Sequence, residues 1–135
     1  MQFSKLRTSE NAFAELFCHI MRKEVSADCM LIASGGLRSD RIYPANHYYT
    51  FGDIFDIYPL EKYLCLIEIS GSDLLLAFEN SVSKYPSLEG RYCQVSNIEF
   101  KFDPNRSLGS RVDPTTVKIA GEPIVSSKLY RLALD

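Results

Sequence analysis

Cys29-Met-Leu-Ile-Ala-Ser-Gly-Gly-Leu-Arg38 is the stretch on which the reading of this chain turns. Its first five residues are apolar and short enough for a buried strand, and the glycine pair that follows lets the backbone turn sharply with its amides open. Arg38 then places a permanent cation next to those amides. A planar guanidinium beside open backbone N–H groups suits a phosphate or carboxylate, so residues 34–38 read as an anion-holding corner. The plain alternative is an ordinary Gly-Gly turn followed by a solvated arginine.

On the N-terminal side, Phe13, Leu16, Phe17, Ile20 and Met21 fall at spacings of three and four. They predict a helix over residues 10–23, capped by Thr8 or Ser9, with one face on the core. On the C-terminal side, residues 41–49 carry Pro44 and three tyrosines and read as an extended loop. Thr50-x-x-Asp53 has the form of a capping box and predicts a short helix over residues 51–57, ended by Pro59. The apolar, branched run 63–70 reads as a central strand. Gly71 then turns the chain, Ser72 serves as cap, and a third helix runs over residues 73–84 with Leu75, Phe78 and Val82 on one side. Strands follow at 91–96 and 98–103, read as a hairpin about Ser96-Asn97, and further strands at 116–120 and 130–134. This order of elements predicts an α+β domain with a mixed sheet and three helices.

The chain has 135 residues, 46% of them hydrophobic, enough for one domain with a substantial core. Its net charge of -2 comes from 15 basic and 17 acidic residues with no block of one sign, which argues against a nucleic-acid partner. No apolar run is long enough to span a membrane, and the first residues lack the apolar core of a signal peptide. Cys18, Cys29, Cys65 and Cys93 are widely spaced, so they read as small buried hydrophobes, an arrangement that favours a reducing, cytoplasmic setting. His19 and His47 are isolated, one on the apolar first helix and one in a loop, and supply no metal site.

Three blocks, Ile67-Glu-Ile-Ser-Gly-Ser-Asp-Leu-Leu-Leu-Ala-Phe-Glu-Asn-Ser-Val82, Leu88-Glu-Gly-Arg-Tyr-Cys-Gln-Val-Ser96, and Phe102-Asp-Pro with Gly109-Ser-Arg-Val112, join Gly35-Gly36-Leu37-Arg38 in one order. Together they resemble the C-terminal domain of the 5'-nucleotidases, over residues 6–135. The resemblance implies a substrate-binding domain whose partner is an N-terminal metallophosphoesterase domain of the same chain. A pair of divalent metals on that partner would do the hydrolysis, and this domain would hold no cofactor, no metal and no catalytic residue. The signatures of the metal-binding domain, Asp-x-His, Gly-Asn-His followed by Glu or Asp, and Gly-His-x-His, do not occur here. The implied ligand is a nucleoside monophosphate or a related phosphoester.

Carried onto this sequence, the resemblance makes Arg38 the arginine of the phosphate and ribose region. Gly35 and Gly36 allow close backbone approach, Ser34 stands next to them, and Leu60 lines the base pocket. Several positions depart from the family. Ala33 replaces an asparagine that helps bind the base, and Leu60 in Tyr58-Pro59-Leu60 replaces a stacking phenylalanine, with Tyr58 read as pointing elsewhere. The arginine before the first helix is Ser9, with Arg7 two positions away. A second stacking ring and a Gly-Gly-Asp motif belong after the position of Asp135, so residues 1–135 are expected to be one domain, excised from a larger chain and cut short at its C-terminus. Stacking on a base contributes about 1–3 kcal/mol per ring, so nucleosides are expected to bind this stretch weakly. The alternative reading is a non-catalytic scaffold or protein-interaction module that keeps the same fold.

Overall fold

The computed structural model describes residues 3–38, 41–44 and 46–135, without the side chains of residues 3 and 4. Its centre is β1, Cys29–Ala33, which pairs parallel with β7, Leu129–Leu134, and antiparallel with β3, Cys93–Ser96. The sheet is completed by β2, Cys65–Ser70, in the order β2-β7-β1-β3. Alternate residues of a strand point to opposite faces, and β1 serves both. Cys29 faces a cluster with Leu74, Phe78, Val82, Tyr130 and Leu132, whereas Met30 and Ile32 face one with Leu6, Ala14, Cys18, Leu37 and Ile57. Helices therefore cover both sides of this sheet, which explains why β1 is apolar throughout.

One covering element is α2, Ala12–Glu24, and the other is α4, Gly71–Val82; α1, Phe3–Leu6, and α3, Phe51–Ile57, are shorter. The α+β class, the mixed sheet and the three predicted helices are borne out, with α1 as a one-turn addition. Beside α4 a second, three-stranded sheet joins β4, Ile98–Glu99, with β5, Lys118–Ile119, and β6, Glu122–Pro123.

Four expectations change. The cap of α2 is Asn11, not Thr8 or Ser9: its side chain accepts from the backbone N–H groups of Phe13 and Ala14 at 3.1 and 3.3 Å. In the same way Ser70, one step before the glycine, caps α4 through the Asp73 N–H, rather than Ser72. No hairpin forms at Ser96-Asn97. Asn97 adopts a positive φ of 65°, and the chain crosses there from the first sheet into the second, so β3 and β4 belong to different sheets. The run 63–70 is an edge strand, not a central one, and its four residues Cys65, Leu66, Ile67 and Glu68 are exposed. Cys65 is accordingly exposed, while Cys18, Cys29 and Cys93 are buried as expected. Burial, the main cause, pushes the Cys18 and Cys29 thiols up to about 12, so they pack as neutral side chains.

Buried polar side chains fasten the N-terminal segment to the sheet. Gln94 on β3 is 2% exposed and uses its whole amide. Its Nε2 donates to the Leu6 and Ser9 carbonyls, each at 2.8 Å, and its Oε1 accepts from the Asn11 N–H at 3.1 Å. Arg22, also buried, donates to the Ser96 hydroxyl at 3.3 Å and the Ala27 carbonyl at 3.1 Å. At the end of α4, Arg111 donates to the carbonyls of Val82, Ser83 and Tyr85 at 2.7 to 3.1 Å, satisfying groups that a helix end leaves unpaired. Gln94→Leu keeps the volume but strands three backbone groups, so unfolding should become easier by about 2–3 kcal/mol. Denaturant titration of the two proteins at neutral pH measures this, and an unchanged midpoint would remove Gln94 as an anchor.

Candidate ligand site at the end of strand β1

Beyond Ala33 the chain forms a single 3-10 turn, Ser34–Gly36, before leaving the sheet. Two cross-chain hydrogen bonds hold it: the Ser34 N–H reaches the Tyr92 carbonyl at 2.8 Å, and the Gly35 N–H reaches the Gly90 carbonyl at 2.9 Å. The two chains cross closely at a pair of glycines. A Cβ on Gly35 would stand 3.1 Å from the Gly90 Cα, and one on Gly90 would stand 3.0 Å from the Gly35 Cα. Leu37 is fully buried after the turn, and the Arg38 N–H bonds the Ile57 carbonyl at 2.8 Å. Arg38 is thus pinned by its backbone while its side chain is exposed, with no acceptor for the guanidinium among the described residues.

The last turn of α3 lies against this corner. Thr50 and Asp53 form the predicted capping box, with the Thr50 N–H and hydroxyl both donating to Asp53 Oδ2 at 2.9 and 2.8 Å. His47 adds a third contact to the same oxygen at 3.1 Å, and Arg41 pairs with Asp56 at 3.1 Å. Tyr43, His47 and Tyr49 pack pairwise as a ring cluster, with centroids 4.8 to 5.1 Å apart. His47 is therefore a structural loop residue, and His19 sits exposed on α2. Of the predicted loop 41–49, residue 45 lies outside the described residues.

Past α3 the chain passes through Tyr58, Pro59 and Leu60 and then Lys62. Leu60 is 44% exposed and presents an aliphatic surface without a ring. Tyr58 points inward: its hydroxyl donates to Asp135 Oδ2 at 2.9 Å, and Lys62 Nζ meets the same oxygen at 2.5 Å. Burial and the neighbouring Asp135 carboxylate hold the Tyr58 phenol above its usual range, so it stays a donor. Gly36 faces this trio. A Cβ there would lie 3.3 Å from Lys62 Nζ, 3.4 Å from Asp135 Oδ2 and 3.7 Å from the Tyr58 ring.

The sequence-predicted residues thus divide. Gly36, Arg38 and the 58–62 segment are brought to one corner. Ser34 is buried, with its hydroxyl donating to the Gly90 carbonyl at 3.4 Å, and Gly35 is occupied by the crossing with Gly90. Ala33 lies exposed at the strand end and has no polar atom to offer beyond its backbone. Tyr58 was read from sequence as pointing elsewhere, and Lys62 and Asp135 were not singled out, because they are 73 positions apart and only the pairing of β2 with β7 brings them together. Arg7 bonds the Leu88 carbonyl at 2.7 Å. Among the described residues no three His, Cys, Asp or Glu side chains form a group that could hold a metal ion, and no helix is long and apolar enough to cross a membrane. A separate groove of about 500 Å³, lined by Glu15, His19, Arg22, Asn97 and Glu99, lies toward the opposite end of β3.

This corner lies at the end of a mixed sheet covered by helices, and comparison with known proteins gives the family of the chain. The family profile for the 5'-nucleotidase C-terminal domain matches residues 1–135, and the chain belongs to that family. A 5'-nucleotidase from Diplobatis ommata is 29% identical over 111 residues, covering 78% of this chain and 19% of the relative. Among solved structures, a 5'-nucleotidase precursor from Thermus thermophilus superposes with a TM-score of 0.88 at 26% identity, over 98% of this chain and 27% of that one. The NAD nucleotidase of Haemophilus influenzae shares the fold, with a TM-score of 0.75 at 21% identity over 90% of this chain and 22% of that one. The chain spans about a fifth of the length of the curated relatives it matches, the size of one domain in a longer protein.

The Asp53 carboxyl yields a pH test. Hydrogen bonds from the Thr50 N–H and hydroxyl, then from His47, lower it from 3.8 to about 2. A carboxyl lowered in the folded state stabilises the fold above its unfolded value and loses that contribution as pH falls through the folded one. The parent should therefore lose stability between about pH 4 and pH 2 more steeply than Asp53→Asn, as measured by thermal unfolding across that window. Parallel curves would exclude Asp53 as the group responsible.

Proposed function

We propose that this chain is the substrate-binding domain of a metal-dependent phosphohydrolase acting on nucleoside monophosphates or related phosphoesters. The observation that carries the reading is the Arg38 guanidinium, exposed and without an acceptor among the described residues, on a backbone fixed by the Ile57 carbonyl and the glycine crossing. Such a cation holds an anionic ligand oxygen. Leu60 supplies apolar contact for the base.

Hydrolysis belongs, in this reading, to a metallophosphoesterase domain of the same protein, because the described residues of this chain do not fit a two-metal centre. The domain's work is recognition and positioning: Arg38 takes the phosphate side, Leu60 meets the base, and movement between the domains presents the ester to the metals. A second reading, a non-catalytic scaffold or protein-interaction module of the same fold, is favoured by Ala33 and Leu60, which offer neither an amide nor a ring where the family resemblance expects them. The chain's place as one domain within a larger polypeptide is part of the proposal.

In the full-length protein, Arg38→Ala should raise KM for a nucleoside monophosphate by about 10- to 100-fold with kcat little changed, the signature of a lost binding contact. Unchanged kinetic constants in a folded variant would remove Arg38 from the site. Absence of phosphohydrolase activity in the parent under added divalent metal would favour the scaffold reading.

A further inference from the structure

Arg22 is a cation whose charge the fold leaves unanswered. It is 9% exposed, and its guanidinium bonds only neutral acceptors, Nε donating to the Ser96 hydroxyl and Nη1 to the Ala27 carbonyl. No carboxylate pairs with it among the described residues. Its Nη2 makes no hydrogen bond among them either and is not sealed from solvent, and the residue lines the groove of about 500 Å³ beside α2. A charge withdrawn from water to this degree is costly unless an opposite charge meets it. The unused N–H donors of the planar fork suit a carboxylate.

The groove is polarised along its length. A chamber of about 140 Å³ continues it, lined by Glu10, Glu15 and Glu99 but not by Arg22 or Ser96. Glu15 and Arg22 stand about two turns apart on α2, roughly 10 Å along its axis. None of the three glutamates forms an ion pair among the described residues, and Lys118, opposite Glu99 in the β4–β5 register, makes none with it. A glutamate near the start of a helix and an arginine near its end also suit the helix dipole, but Glu99 lies on β4, so the dipole does not account for the acidic end. Between the two ends Leu16 and Ile98 give the walls apolar surface. A plain anion would meet the carboxylates, and a plain cation would meet Arg22. The volume is that of a small-ligand site.

We propose that this groove binds a linear zwitterion of the ω-amino carboxylate class, with a carboxylate at one end, a protonated amine at the other and methylenes between. The carboxylate meets the Arg22 fork, the amine lies between Glu15 and Glu99, and the methylenes run along Leu16 and Ile98. The groove lies toward the other end of β3 from the corner that carries Arg38, and the proposal does not depend on the nucleotide reading.

The test is equilibrium binding of 6-aminohexanoate to the full-length protein, beside hexanoate, hexylamine and free glycine. Hexanoate lacks the amine, hexylamine lacks the carboxylate, and glycine has both charges without the length. The parent is expected to bind 6-aminohexanoate with a Kd below about 1 mM and about tenfold or more tightly than each of the others, as loss of a charged hydrogen bond requires. The variant Glu15→Gln with Glu99→Gln alters two exposed side chains, and in it the preference over hexanoate is expected to fall below about twofold. In Arg22→Met, judged folded by circular dichroism, the preference over hexylamine is expected to fall likewise; should that variant not fold, the parent and the glutamate variant decide. No binding of 6-aminohexanoate by the parent would overturn the proposal. So would equal binding of any of the three other compounds, or a preference over hexanoate that survives in the glutamate variant.

Discussion

The contact on which the site depends is the crossing of two backbones at Gly35 and Gly90. Each α-carbon stands where a side chain on the other would intrude, at 3.1 and 3.0 Å, and the Gly35 N–H bonds the Gly90 carbonyl across the junction. Packing at this closeness fixes the direction in which the chain leaves β1. From that exit follow the burial of Leu37, the bond from Arg38 to Ile57, and the packing of Gly36 against Tyr58, Lys62 and Asp135. A side chain at either glycine would push the opposite backbone by a few tenths of an ångström.

The rest of the fold keeps that corner still. β1 is held on both sides, by β3 and β7, and its alternating side chains enter two separate apolar clusters. Gln94 ties the entry of α2 to β3, and the Thr50–Asp53 box sets where α3 begins and hence where Tyr58 and Leu60 fall. Arg38 and the Lys62–Asp135 pair are thus polar groups in segments that flank α3, β2 and β7.

Much of this was legible from residue order. The strand at 29–33 and the helix at 51–57 with its capping box follow from local chemistry: an apolar run and a Thr-x-x-Asp spacing. What the sequence concealed depends on contacts between distant positions. The run 63–70 is apolar enough for a central strand, yet it lies at the sheet edge, because edge position is decided by which strands pair and not by hydrophobicity. The hairpin at Ser96-Asn97 failed for a related reason: Asn97 in the left-handed region sends the chain into a second sheet, an outcome that alternation alone does not encode. In the site, Ser34 looked free to meet a ligand but is committed to Gly90. Asp135 carried no local signal at all, since its partners Tyr58 and Lys62 precede β2 and reach it only because Cys65 pairs with Leu134.

The central claim is that nucleotide ligands meet this chain at the end of β1 and not in the groove beside α2. Backbone amide NMR of the isotopically labelled protein, titrated with a nucleoside monophosphate, tests it most directly. The account predicts shifts concentrated at Gly36, Arg38, Leu60, Lys62 and Asp135, with the amides of Glu15, His19 and Glu99 unmoved. Shifts confined to the α2 groove would contradict it, as would a spectrum unchanged at millimolar ligand.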